Sequence, residues 1–376
     1  MRSNKLNKSK SIIMRPHFII IWRLWSLLFE ETVSCRSVPS RHNLLERRLH
    51  ILVAGGNFFN DTSFSELAEV ELIDPMGDNS KCQQPKSLPS KLDGSISSIV
   101  NGNSMICGGL RTGYTKENLF AQTVDRECYH FHDDKWETFN TGLYCPRWGA
   151  SSVMLNSEQT WVIGGNPGNN LSSDECSDTA SSTEILKTEH GRFEMSVPLP
   201  EKMIYHCTIR IDDSRVFIVN GYDEKYEGIS HAYIVDTSSN PFTFTQMPSL
   251  TQARSQAACG IISYQNSLSI VVAGGGFGRT TQTTEVYRIS NSDDASNTWE
   301  PGPALPRGFS NGCHINDGIN NLALIGGFDE VGNVRDDTLG YNPRSEQFEV
   351  LPGKLRTPTY GCTAVQLDYN TSCVKR

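Results

Sequence analysis

The 376-residue sequence is poor in the short motifs that identify catalysts. It holds no Cys-x-x-Cys pair and no His-Glu-x-x-His, the spacings that assemble soft-metal and zinc-protease sites. Gly274-Gly275-Gly276-Phe277-Gly278 is glycine-rich, yet it lacks the Lys and the helical pattern that complete a phosphate loop. Basic residues are in deficit. The chain has 34 Lys and Arg against 42 Asp and Glu, a net charge of −8, which excludes a general nucleic-acid binder. Its 31 glycines show no three-residue period, so a collagen-like fibre is excluded too. The apolar run Phe18–Phe29 is interrupted by Arg23 and falls short of the ~20 residues of a membrane span.

What is present is enough for a core, since 37% of the residues are hydrophobic. Charge is unevenly spread. Residues 1–50 carry 10 Lys and Arg against 3 Asp and Glu, whereas 51–376 carry 24 against 39. The head, 1–49, has a cationic start, an apolar run and the small-residue site Val33-Ser34-Cys35. It reads either as a secretory signal or as a disordered basic extension. The first reading makes the protein secreted and the second cytoplasmic, and Met14 offers an alternative start for the first.

The organising feature is a repeat. Six apolar runs each end in a small-residue pair: Ile51–Gly56, Ser104–Gly109, Thr160–Gly165, Val216–Gly221, Ile270–Gly275 and Leu322–Gly327. The first residues of the pairs fall at 55, 108, 164, 220, 274 and 326, a period of 52 to 56. The runs do not alternate, which fits strands buried on both faces. Turn formers separate them from further strands.

Within each unit an aromatic residue follows, and a second aromatic follows that. Tyr129 with Trp136, Tyr287 with Trp299, and Tyr341 with Phe348 are the clear cases; Leu186 with Phe193 and Val235 with Phe244 are degenerate. On these residues the chain resembles the kelch repeat. The resemblance implies an all-β, six-bladed β-propeller over 50–376. Residues 359–367 repeat the strand that precedes each Gly pair, so this C-terminal strand is expected to complete the first blade and leave no open edge.

Eleven cysteines cannot all pair within one chain. Cys207, Cys259, Cys313 and Cys362 recur once per unit and read as small buried hydrophobes on separate sheets. Cys107 and Cys128 lie on adjacent strands of one unit and form the expected disulfide if the chain is secreted.

One basic residue stands before the strand leading to each Gly pair: Lys91, Arg147, Lys202, Arg254, Arg307 and Arg356. Equivalent loops of a propeller surround its channel, so the six are expected to form a positive mouth on an acidic body. Trp148, Tyr205, Phe309 and Tyr360 lie beside them as hydrophobic anchors, and the loops after the Gly pairs add Tyr222, Asp223, Phe328 and Asp329. In kelch domains that take acidic peptides, arginines at this place contact carboxylates. The resemblance therefore implies a non-catalytic protein- or peptide-binding scaffold, monomeric and without cofactor or metal, whose partner is acidic. The alternative use of the same residues is to cap blades by pairing with blade acids. A carbohydrate-processing enzyme resembling the sialic-acid mutarotases is the competing class, and an extracellular adhesion module is a third. With 50 residues before the first unit, the helical domain of kelch ligase adaptors is not expected in this chain.

Overall fold

Strands of this sequence cannot bury two apolar faces alone, so the repeat stacks them. The computed structural model describes residues 50–60, 63–77, 84–113, 121–132, 135–168, 176–276, 279–289, 297–316 and 318–367. The basic head, Cys82 and Cys373 lie outside these residues. Five blades are four-stranded antiparallel meanders, opening on the inner strands Ile96–Val100, Ser151–Asn156, Cys207–Arg210, Ala258–Tyr264 and Cys313–Asn316. The first blade is assembled from both ends of the chain, in the order Thr363–Leu367, His50–Ala54, Val70–Ile73. His50 pairs with Leu367 and Ala54 with Thr363. The fold is thus a six-bladed propeller closed by its C-terminal strand.

The non-alternating runs now have a cause. Apolar residues collect in the six seams between blades rather than in one central mass. Leu52 and Ala54 face the second blade, whereas Ile51 and Val53 face the sixth. Phe217 and Val219 face the fifth blade; Val216 and Ile218 face the third. Every second strand therefore serves two seams with opposite faces. The aromatic partners sit where expected with one shift: Trp136 packs on Phe131, with centroids 5.1 Å apart, because Phe131 and not Tyr129 is its cross-strand partner.

Cysteines stitch two of the seams. Cys207 is bonded to Cys259 and Cys313 to Cys362, so these four are not separate buried thiols. Each bond joins inner strands of neighbouring blades, which meet with a stagger that repeat alignment alone does not show. Cys107–Cys128 spans adjacent strands of the second blade, and Cys145–Cys176 ties two loops of the third. Seams without sulfur use hydroxyls: Ser97 Oγ donates to the Ala364 carbonyl at 2.7 Å, and Ser152 Oγ to that of Ser97 at 2.6 Å.

Backbone hydrogen bonds close the ring at one end of the channel in two tiers. In the inner tier, each inner strand is preceded by a residue at positive φ: Gly94, Gly149, Tyr205, Gln256, Asn311 and Gly361. Their amides donate in a circle, Gly149 to Gly94, Tyr205 to Gly149, Gln256 to Tyr205, Asn311 to Gln256, Gly361 to Asn311 and Gly94 to Gly361, at 2.6 to 3.1 Å. In the outer tier, the second residue of each Gly pair donates to the loop entering the next blade. Gly56 reaches Leu92, Gly275 reaches Phe309 and Gly327 reaches Thr359. A Cβ at Gly274 would lie 2.3 Å from the Phe309 carbonyl oxygen, so that approach demands glycine.

Three of the predicted cations are used in these joints. Arg147 donates to the carbonyl of Gly164, to Ser182 and to Glu184; both partners of the ion pair are fully buried. Arg254 repeats this with Gly274, Thr283 and Glu285, and Arg307 with Gly326 and Asp337. Burial pushes the Arg147 guanidinium down against the pull of Glu184. Burial also pushes the Asp337 carboxyl up, but Arg307 overrides it and holds the group below its usual range.

An Arg254→Met substitution strands Glu285 in the blade and is expected to cost about 3–5 kcal/mol in urea unfolding. Arg254→Met with Glu285→Gln should recover at least half of that. A single-variant loss under about 1 kcal/mol, the size of a surface pair, would show that the clasp is not structural.

Candidate functional site

The six inner strands enclose a channel of about 750 Å³, lined by polar groups including Ser151, His206, Thr208, Arg210, His314 and Gln366. His206 Nε2 meets Ser151 Oγ at 2.7 Å, but burial first, and Arg147 second, push its imidazole down to about 3. Burial likewise takes His314 to about 4. Both rings are neutral. Cys207 and Cys259 Sγ converge with His314 within 4.8 Å, as a metal site requires. Those sulfurs are bonded to each other, which leaves one free ligand among the described residues.

The end bearing the positive-φ ring is chemically richer. Two hairpins continue past their Gly pairs there: Asn57–Asn60 with Ser63–Glu66 from the first blade, and the long pair Asn103–Gly113 with Ala121–His132 from the second. Between them lies Asp93, in the loop entering the second blade. Its carboxylate leans over Gly361: a Cβ there would lie 1.9 Å from Asp93 Oδ1. Tyr205 leans over the other ring glycines, and a Cβ at Gly149 would meet its ring at 3.1 Å. Glycine at these ring positions leaves room for both side chains.

Aromatic rings surround this pair. Trp148 meets Tyr205 edge-on at 5.3 Å, Phe328 stacks near Tyr360 at 4.4 Å, and Tyr222 lies 6.2 Å from Tyr226. Tyr226 is 49% exposed, and Asn166 donates to its hydroxyl. The acids stand close together. Burial raises the Asp93 carboxyl to about 7; the Asn57 side chain and the Gly94 amide oppose the rise, and Glu66 adds to it. Burial, with Asp93 and Glu66, raises Tyr360 to about 12, and burial with Asp93 lifts Tyr205 well above its usual range. An acid with a pKa near 7 can take up or release a proton at neutral pH, and groups shifted in this way cluster at functional sites.

The predicted site residues divide accordingly. Trp148, Tyr205 and Tyr360 gather at the mouth, with Tyr222 and Phe328. Arg147, Arg254 and Arg307 do not: their side chains run outward into the blades, drawn by buried carbonyls and carboxylates, as the capping alternative holds. Phe309 is fully buried in the seam between the fifth and sixth blades, because its ring follows the apolar side of its loop. Lys202 is half-buried and ion-paired with Glu224 and Asp178. Lys91 and Arg356 are exposed, and Arg356 offers its backbone amide, at 2.6 Å, to Glu71. The six cations therefore form no common ring.

Repeat reading missed Asp93, Asn57 and Glu66. A signal for Asp93 existed: the equivalent positions hold Trp148, Ile204, Ser255, Ser310 and Tyr360, so it is the one acid. Gly308-Phe309-Ser310-Asn311-Gly312 has the spacing of a hydrolase nucleophile elbow. It is not one here. Ser310 pairs with Phe328 in a loop that leads into a strand, not a helix.

No protein-family model matches the chain, and no curated protein matches it. Among solved structures, that of YjhT superposes with a TM-score of 0.59 over 80% of this chain and 97% of that one, at 13% identity. At that identity the likeness shows the propeller fold alone.

The Asp93 environment carries a stability signature. Its folded carboxyl holds a proton up to about pH 7, whereas an unfolded Asp releases it near 3.9. Between those values the native state binds the extra proton, so stability falls as pH rises. Asp93→Asn is therefore expected to melt higher than the parent near pH 8, with the gain vanishing below about pH 4. A difference in melting temperature that does not change with pH would contradict this assignment.

Proposed function

We propose that the chain is a kelch-type recognition module that binds its partner at the aromatic mouth of the propeller. One observation carries this reading. The mouth is built on a six-fold repeated backbone, yet its repeat-equivalent positions differ in kind from blade to blade, and several hold large, partly exposed side chains. Where a blade is capped, the same residue type recurs, as the arginines of the third, fifth and sixth blades illustrate. Trp148, Tyr205, Tyr222, Tyr226, Phe328 and Tyr360 answer to no such repeated demand. Partly buried aromatics of this kind are the usual anchors of protein interfaces.

The module was expected to take an acidic partner through six cations. With three of those consumed inside blades and Lys202 paired with Glu224 and Asp178, the cations give no ground for an anionic partner at the mouth. Four disulfides among the described residues support folding in an oxidising compartment and favour the signal reading of the head. An extracellular interaction module follows.

A second reading has its own observation. An acid held near neutrality between two phenols is poised for general acid–base work, the feature that a mutarotase-like enzyme needs. Turnover of a sugar at the mouth that disappears in Asp93→Asn would favour that class.

The leading reading is tested by capture from the secreted fraction, with crosslinks located by mass spectrometry. Tyr222→Ser with Tyr226→Ser should weaken retention of the captured protein about tenfold or more, with melting unchanged. Val350→Ser, an exposed outer-strand change, should have no effect. Equal retention by both variants, with crosslinks away from the mouth, would overturn the proposal.

A further inference from the structure

Acceptors without donors collect at the base of the mouth. Asp93 Oδ1 and Asn57 Oδ1 are both buried and have no hydrogen-bond donor. Asn57 is only 3% exposed. A buried acceptor left unmade is costly, typically ~1–3 kcal/mol, and two adjacent ones point to a missing donor. A second carboxyl, Glu66 of the first-blade hairpin, is 6% exposed and close enough to raise Asp93. The groups facing Asp93 come from several elements. Asn57 and Glu66 belong to the first-blade hairpin, the Gly94 amide to its own loop, Tyr205 to the fourth-blade loop and Tyr360 to the first-blade loop. Among the described residues, the groups that shift Asp93 include no guanidinium or ammonium group. Of the six cations that repeat reading assigned to this end, Arg147, Arg254 and Arg307 are spent in the blades, Lys202 is paired with Glu224 and Asp178, and Lys91 and Arg356 are exposed.

We propose that the mouth binds a cationic group, an ammonium or guanidinium, seated against Asp93, Asn57 and Glu66 beside Tyr205 and Tyr360. This rests on the mouth being the recognition surface and names the ligand chemistry it takes. Only a positively charged donor meets all the demands of the site at once. A neutral hydroxyl satisfies one acceptor but leaves two carboxyls in repulsion, and an anion adds to that repulsion. A cation supplies donors and offsets both carboxyls in a partly desolvated place. Arginine has the geometry to meet a carboxylate and an amide oxygen together. The cation can be a free small molecule or the side chain of a basic peptide segment, and these share the same chemistry.

The test uses the intact chain and four probes: N-acetyl-arginine amide, N-acetyl-lysine amide, the neutral isostere N-acetyl-citrulline amide, and an arginine-containing pentapeptide. Calorimetry near pH 8 should show the arginine compound binding at least about tenfold more tightly than citrulline. Affinity should fall about tenfold or more towards pH 5, as Asp93 takes up its proton, with proton release on binding near neutrality. Asp93→Asn should lose about tenfold in affinity while melting no lower than the parent; Glu66→Gln should lose less. Tighter binding of the pentapeptide than of the single residue would assign the source to a basic segment, and equal binding to a free cation. Citrulline binding as well as arginine, or Asp93→Asn binding unchanged, would overturn the proposal. If capture fails in the Tyr222 and Tyr226 variant while the cations do not bind, the recognition surface stands and the ligand assignment falls. If the cations bind as described but capture ignores the mouth, the reverse holds.

Discussion

Six backbone amides, donating head to tail around the channel, are the constraint on which the rest of the molecule depends. Each bond joins residues of neighbouring blades, so none can form until the adjacent blade is in place. The last one, from Gly94 to Gly361, needs both chain ends in the first blade. All six donors sit at positive φ. Tyr205, Gln256 and Asn311 do so at a cost of about 1–2 kcal/mol each, which the closed circle must offset. The second tier, from the Gly pairs to the next blade's loop, locks the same end again. Glycine is demanded there because a backbone carbonyl occupies the place of its Cβ.

This construction separates stability from function within a few residues. Backbone satisfies backbone, and the arginine clasps bind the carbonyls exposed where strands end. Side chains at the mouth take part in neither tier. They can differ from blade to blade without disturbing the platform, and they do: aromatics on the third, fourth, sixth and first blades, acids between the first and second. A buried carboxyl with a raised pKa beside another carboxyl destabilises the native state at neutral pH. On the proposed reading, this cost serves a ligand rather than the fold.

Repeat spacing made the propeller and its closure legible in the sequence, because the Gly pair is a chemical demand that recurs. The positive-φ ring was not legible. Its members, Gly, Tyr, Gln and Asn, share a backbone conformation and a hydrogen-bond partner but no side-chain chemistry. Arginine positions were legible, whereas their direction was not, since it is set by the Gly164, Gly274 and Gly326 carbonyls on the neighbouring strands. Cysteine pairing depended on the stagger between inner strands of separate blades, which no alignment of repeats contains. Asp93 was passed over for a related reason. What makes it unusual is burial against Asn57, Glu66 and Tyr360, residues brought together only when the first and second blades meet.

The circle of amides is the claim most open to direct measurement. Native-state hydrogen exchange of Gly94, Gly149, Tyr205, Gln256, Asn311 and Gly361 reports each bond separately. The account predicts that all six exchange with one common opening free energy, equal to that of global unfolding. Fast, unequal exchange at these amides, while the inner strands stay protected, would contradict it.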